Sequence, residues 1–184
     1  MKSIILTSAL CAMTATVMAQ QVYELSAPVK EKVIYTGHLK LGGTRPGGGS
    51  IDVNSYYMSM DGKPVISVMG EFHYSRYPHE QWEEEILKMK AGGINVLPTY
   101  IFWSLHEEQE GVFNWSGNLD IRRFFELCKK HDMNVIVRIG PFGHGEIRNG
   151  ALPDWLFAKP LEVRSNDENY LFYAKRLYEE IAKQ

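Results

Sequence analysis

The hydrophobic and polar positions of this chain change period partway along. From Ile51 to Phe72, in "IDVNSYYMSMDGKPVISVMGEF", two strand-like runs flank Asp61-Gly62, and an Asp-Gly pair in that setting predicts a β-hairpin. Beyond Glu71 the pattern alternates between strands and helices. Pro78 opens a predicted helix at its first position, Trp82, Ile86 and Met89 share one face of it, and Gly92-Gly93 end it. "INVLPTYIFW" predicts a second strand, with a bulge at Pro98 because proline cannot donate to the ladder. A second helix from about Leu119 places Ile121, Phe124, Phe125 and Cys128 on one face, and Lys129, Lys130 and His131 near its C-terminal end, where the helix dipole favours cations. "NVIVRIG" predicts a third strand. Ser165-x-x-Glu168 predicts a capping box for a third helix, whose buried stripe is Tyr170, Ala174, Leu177 and Ile181.

Three strand-helix units of this length imply parallel strands joined by right-handed crossovers. Their polar residues fall at strand ends: Glu71 and His73 after the first, Tyr100, Trp103, His106 and Glu107 at or after the second, His144 and Glu146 after the third. In a barrel of such units every strand end faces the active site, whereas a doubly wound sheet places its ligand at one switch point. No glycine fingerprint for a dinucleotide follows any strand. The expected fold is therefore α/β, a (β/α)8 TIM barrel incomplete here, with about the first three units after a leading β-hairpin. Within residues 20–50 the stretch "GGTRPGGGS", Gly42 to Ser50, lacks the Gly-Lys-Ser/Thr ending of a phosphate loop and reads as a flexible connection.

Composition narrows the classes. With 45% hydrophobic and 23% charged residues in 184, the chain has the make-up of one soluble globular domain. A net charge of -2 and a pI near 6.3 offer no basic patch for nucleic acid or an anionic membrane surface. Lys2, the apolar stretch Ile4 to Val17 and the small-residue pattern Val17-Met18-Ala19 predict a signal peptide over 1–19, cleaved after Ala19. That stretch is too short for a membrane span, which needs about 20 apolar residues. Secretion or periplasmic export is expected, and Cys128, the one cysteine left afterwards, falls on a helix stripe and reads as core.

The chemistry lies in "VIVRIGPFGHGEIRNGALPDWLF", where a strand breaks into a loop rich in glycine that carries Glu146. Glycine lets backbone approach a ligand closely, and an acid there is a candidate hydrogen-bond acceptor. His73, His106 and His144 follow three different strands and would have to converge to about 2.0–2.2 Å from a metal, which nothing in their spacing requires. Hydrogen-bonded site or core histidines are the preferred reading, with no metal or cofactor. No G-x-S-x-G elbow supports a serine hydrolase. Tyr74, Tyr77, Tyr100, Phe102, Trp103, Phe142 and Trp155 gather near strand ends. Rings with polar tips suit the C–H face and hydroxyls of a sugar, although packing explains several equally well, Trp155 in particular.

"DGKPVISVMGEFHYSR", "ILKMKAGGINVLPTYIFWSLHE", "EGVFNWSG" and "RIGPFGHGEIRNGALPDWL" resemble the opening of glycoside hydrolase family 35, the retaining β-galactosidases, from about Tyr57 to the end of the chain. The resemblance makes 51–184 the N-terminal part of a catalytic TIM barrel. It implies that Tyr100, the tyrosine of the family's Thr-Tyr-x-x-Trp motif, contacts the terminal sugar. It further implies that Glu146, the glutamate of its Cys-Ala-Glu-Trp motif, binds hydroxyls without being catalytic, and that Gly145 offers backbone beside it. His144-Gly145 stands for Cys-Ala, Ile147 for the tryptophan, Ser104 for the asparagine of Trp-Asn-x-His-Glu, and Ala151 for a second glycine. These departures leave lactose, or a plant-polysaccharide side chain ending in galactose or arabinopyranose, as expected substrates. The family's acid/base and nucleophile glutamates belong to later strands, so both are expected beyond Gln184, and these residues alone are expected to be inactive. A sugar-binding protein without catalysis and a metal-dependent hydrolase using the three histidines are the alternatives.

Overall fold

The computed structural model describes residues 23–184, so the expected signal peptide lies outside the described residues. The first layer is an antiparallel sheet of β1 (Gly42–Thr44), β2 (Ser50–Val53), β3 (Met58–Met60) and β4 (Lys63–Val65), paired in chain order. Asp61 and Gly62 join β3 to β4 with φ of 51° and 74°, the left-handed pair that a two-residue hairpin turn requires. The glycine-rich stretch differs from its expectation as a connection. Gly42–Thr44 pairs with Ser50–Asp52, and the turn between is closed by the Gly48 amide on the Arg45 carbonyl at 3.0 Å. Arg45 pairs with Asp61, whose carboxylate also accepts from the Ser50 amide at 2.8 Å, so the two hairpins are tied through their turns.

The second layer is parallel. β5 (Val96–Tyr100) and β6 (Asn134–Arg138) pair in register from Val96↔Asn134 to Tyr100↔Arg138. Residues 66–72 run along the other edge of β5, where Gly70 and Phe72 donate to the Val96 and Pro98 carbonyls at 3.1 and 3.0 Å. Pro98 makes no bulge: it stands opposite Ile136 in an unbroken register. In a parallel ladder a residue's amide and carbonyl point to the same neighbour, so the missing amide of Pro98 faces Gly70. The cost is one bond to the 66–72 segment, which touches β5 as an isolated bridge at Met69 instead of a full strand.

Helices cover one face of these strands. α1 (Trp82–Ala91) follows a 3₁₀ turn at His79–Gln81, a short α2 (Trp103–His106) follows β5, and α3 (Ile121–Lys130) precedes β6. Leu97 and Ile101 of the β5 segment meet Trp82 and Ile86 of α1 and Ile121, Phe124 and Cys128 of α3 in one core. Burial pushes the Cys128 thiol up to about 12, so it stays protonated at neutral pH and serves as core. The opposite strand face, carrying Met69 and Ile136, is 55% and 42% exposed, and the described residues close no barrel. No helix among them is long and apolar enough to cross a membrane.

α4 (Glu168–Ala182) buries Tyr170, Ala174 and Leu177 against Trp103, Leu152 and Leu156. Its N-cap is Asp167, two residues later than the Ser165 the sequence pattern suggests. Asp167 accepts from the Tyr170 amide at 3.0 Å, while the Ser165 hydroxyl accepts from the Asp167 amide at 3.0 Å. A carboxylate is favoured there by the helix dipole. Asp167→Ala is expected to cost about 1 kcal/mol, read as a lower denaturation midpoint of the full-length polypeptide.

Candidate functional site

Arg138 ends β6 directly beside Tyr100, which ends β5. Both project on the strand face away from the helices, where Arg138 lies over the Tyr100 ring at 4.6 Å and donates to Glu71 Oε1 at 3.0 Å. Glu71 also approaches His73 Nε2 at 3.3 Å. Side-chain exposures of 37% and 39% leave the Arg138–Glu71 pair open to solvent, where an ion pair contributes about 0–1 kcal/mol to stability. Its consequence is positional: it holds a planar cation flat on the Tyr100 ring.

His73 joins this group to the loop after β6. Its ring tilts against Tyr100 and Phe102 at 5.6 and 5.3 Å, and its Nδ1 is buried without a hydrogen-bond partner. Burial, aided by Arg76 and Arg138, lowers its pKa against the pull of Glu71, so the ring is neutral at pH 7. Phe102 stacks on Tyr100 at 5.6 Å and carries Arg76 over its ring at 4.8 Å.

The glycine at 145 follows from this packing. A Cβ there would lie 2.7 Å from Phe102 and 3.4 Å from His73 Nε2, and the first distance is closer than carbon atoms tolerate. The chain can therefore pass over Phe102 only as glycine. Glu146 then turns into the left-handed region at φ 46°, as do Asn149 and Ala151 at 54° and 67°. Non-glycine residues seldom adopt that region, and where they gather near a cleft they are a pointer to function. The Glu146 carbonyl accepts from Arg76 Nη2 at 3.3 Å, which anchors its backbone. Its carboxylate is exposed and makes no hydrogen bond or ion pair among the described residues.

Tyr100, Gly145 and Glu146 thus lie around one cluster at the C-terminal ends of the parallel strands. Other residues singled out from the sequence lie elsewhere. His106 and Glu107 are fully buried beneath this face, Tyr74 and Trp103 are core, and Trp155 packs on Trp103 with its indole N–H on the Glu107 carbonyl at 2.9 Å. His144 is exposed and meets Phe142 at 5.0 Å. His106 is committed to Tyr74 and Asn114, and among the described residues no three metal-ligating side chains gather. Arg138 and Arg76 are the residues of this cluster that sequence reasoning passed over. A charge closing the apolar run "VIVR", in phase with Ile136 on the open face, was the available signal for Arg138.

A hollow of about 700 Å³ is not this site. It lies at the other end of the strands, between Arg45 and Asp61 of the first sheet and Lys129, Asp132 and Asn134. The open cluster above the strand ends offers what a neutral polyol needs: a carboxylate acceptor, a guanidinium, an imidazole and aromatic surface.

Comparison with known proteins agrees with that chemistry. Residues 57–184 match the sequence profile of Glycosyl hydrolases family 35. The chain is 42% identical over 118 residues to beta-galactosidase 11 of Oryza sativa subsp. japonica, covering 64% of this chain and 14% of that protein. It is 38% identical over 125 residues to a beta-galactosidase of Xanthomonas manihotis, covering 67% and 21%. It is 36% identical over 145 residues to an exo-beta-D-glucosaminidase of Pyrococcus horikoshii, covering 67% and 19%. The match therefore spans about a fifth or less of each relative's own length.

Proposed function

This chain belongs to glycosyl hydrolases family 35, and from that premise we propose that it is the N-terminal part of a secreted glycosidase removing terminal β-galactosyl residues. In this reading the parallel segments are the first three strands of a (β/α)8 barrel, and the first sheet caps its N-terminal end. Tyr100, the Gly145 backbone and Glu146 form half of the terminal sugar subsite. A retaining reaction needs two carboxyl groups about 5–5.5 Å apart, one as nucleophile and one as acid and then base. Those two are contributed by later strands of the barrel, so residues 20–184 by themselves carry half of the sugar subsite and are inactive.

The observation that carries the reading is the exposed, unpaired carboxylate of Glu146 beside the Tyr100–Arg138 pair at the strand ends. The experiment is hydrolysis of an aryl β-galactoside by the full-length polypeptide, with an aryl β-glucosaminide alongside because one relative is an exo-beta-D-glucosaminidase. Turnover of the galactoside is expected, and turnover of the glucosaminide alone overturns the substrate assignment.

Glu146→Gln removes charge-assisted hydrogen bonds to hydroxyls, and is expected to weaken galactoside binding by about 1.5–3 kcal/mol. Formation of the covalent intermediate should persist, because the catalytic carboxyls are untouched. Unchanged kinetics across several galactosides would remove Glu146 from the subsite.

A further inference from the structure

Tyr74–Arg76 form a 3₁₀ turn that the core holds firmly. Tyr74 is fully buried, its hydroxyl meets His106 at 2.7 Å, and its carbonyl accepts from the Trp82 indole N–H at 3.1 Å. The Arg76 amide donates to the His73 carbonyl at 3.0 Å. Arg76 thus rises from a fixed base. Its guanidinium lies over the Phe102 ring at 4.8 Å and donates from Nη2 to the Glu146 carbonyl at 3.3 Å. Among the described residues no carboxylate pairs with that guanidinium, so the carbonyl, seventy residues later in the chain, is its polar partner.

Glu146 depends on such a partner. Its φ of 46° places it in the left-handed region, which a non-glycine residue keeps only where its surroundings hold it there. Among the described residues the bond from Arg76 is the only hydrogen bond Glu146 makes, through backbone or side chain. The loop around it closes without it: the Gly143 amide donates to the Gly150 carbonyl at 2.8 Å, and the Gly150 amide to the Ile147 carbonyl at 3.1 Å. Gly145 lets the chain cross Phe102 but cannot choose the direction of the next side chain. A carbonyl held in place fixes its peptide plane, and with it the direction in which the Cα–Cβ bond of the same residue points. The hold on the Glu146 carbonyl is therefore also a hold on its carboxylate.

We propose that Arg76 is a positioning residue: it pins the Glu146 backbone in its left-handed conformation and thereby aims the carboxylate at the terminal sugar, acting through Glu146 and not on the sugar itself. The inference rests on the proposed glycosidase reading for the role of that carboxylate.

The test uses the full-length polypeptide and two variants. Arg76→Met keeps an apolar stem on Phe102 but has no donor, whereas Arg76→Lys keeps a donor. Calorimetric titration with galactose is expected to show about fivefold weaker binding for Arg76→Met, the span of one hydrogen bond. Arg76→Lys should recover most of that loss. In a Glu146→Ala background, Arg76→Met is expected to change affinity by less than about 1.5-fold, because two residues that act through one contact are not additive. Hydrogen exchange resolved by peptide should speed up over Gly143 to Leu152 in Arg76→Met and stay unchanged in Ile121–Lys130 of α3.

Wild-type affinity in Arg76→Met overturns the proposal. So does a fivefold loss repeated in the Glu146→Ala background, which would show that Arg76 acts on the sugar or on packing directly, and so does unchanged exchange over Gly143 to Leu152. If the wild type does not bind galactose, or if Glu146→Ala alone leaves its affinity unchanged, the subsite reading fails; the hold of Arg76 on the Glu146 backbone is then decided by hydrogen exchange alone.

Discussion

Glu107→Ala in the full-length polypeptide is expected to lower stability by about 3–5 kcal/mol, the cost of breaking a buried ion pair from one side. Glu107 is fully buried. One carboxylate oxygen accepts from the Trp103 indole N–H at 2.6 Å, and the other accepts from the Gly111 amide at 2.6 Å and pairs with Arg176 of α4. The Arg176 guanidinium is in turn surrounded by aromatic faces, 5.1 Å from Tyr173 and 5.5 Å from Trp155. Removing the carboxylate leaves the buried Trp103 indole N–H without its acceptor and takes the counter-charge from Arg176, whose side chain is only 27% exposed. Each lost partner leaves a group whose desolvation is no longer offset. The same side chain joins α2, the loop after it and α4. Glu107→Gln keeps both acceptor positions in part and should recover some of the loss. Chemical denaturation followed by tryptophan fluorescence checks this, since Trp103 and Trp155 both touch the network. A loss below about 1 kcal/mol for the alanine variant, the value of an ordinary exposed pair, would show that Glu107 does not hold these elements together.

The elements legible in the sequence are those whose signal is local. The stripe Ile121, Phe124, Cys128 repeats at helical spacing and is buried, and Asp61-Gly62 carries its turn type in its own residues. What escaped was decided by partners distant in sequence. Gly42–Thr44 has no apolar periodicity to announce a strand, and its pairing with β2 is made by backbone, with Arg45 and Asp61 fastening the two turns. Pro98 carries a bulge signal, yet the missing amide faces the weakly paired 66–72 segment, so the ladder to β6 remains whole. Ser165 fits a capping box, but Asp167 stands closer to the helix start with a charge that the dipole favours.

The site divides the same way. The positions of Tyr100, Gly145 and Glu146 were legible as a pattern of motifs, whereas the reason for glycine at 145 is Phe102, forty-three residues earlier in the chain and visible only as a 2.7 Å approach. Aromatic residues near strand ends overstate the sugar surface, since Tyr74, Phe102 and Trp103 are 0% exposed. Their spacing along the chain reports nearness to a strand end, and only the fold reports which side of the sheet each ring takes.

Acidification from pH 7.5 to 4 is expected to remove roughly 3 kcal/mol of stability through His106 alone. Its Nδ1–H donates to the Asn114 carbonyl at 2.9 Å, its Nε2 accepts from the Tyr74 hydroxyl at 2.7 Å, and Trp115 stacks on it at 4.2 Å. This arrangement favours the neutral ring, in which every polar atom of the His106–Tyr74 pair has a partner. Protonation would turn Nε2 into a donor, so the Tyr74 hydroxyl would have to accept and its own proton would lose its partner in a fully buried setting. Burial accordingly lowers the His106 pKa from 6.5 to about 4, against a smaller opposing effect of the Asn114 carbonyl. Between those two values the unfolded chain binds a proton that the native state refuses, so stability rises with pH across the window. The contribution is complete above pH 6.5 and lost as pH falls to 4; at about 1.4 kcal/mol per unit it amounts to roughly 3 kcal/mol. Other groups also titrate on acidification, so the measurement is a difference. His106→Gln can donate to Asn114 and accept from Tyr74 without titrating, and loses ring packing by an amount that does not depend on pH. Denaturation midpoints of the full-length wild type and His106→Gln, taken at intervals from pH 7.5 to 4, should converge by roughly 3 kcal/mol as pH falls. A gap that stays constant over that range would mean that His106 is protonated as readily in the native protein as in the unfolded chain.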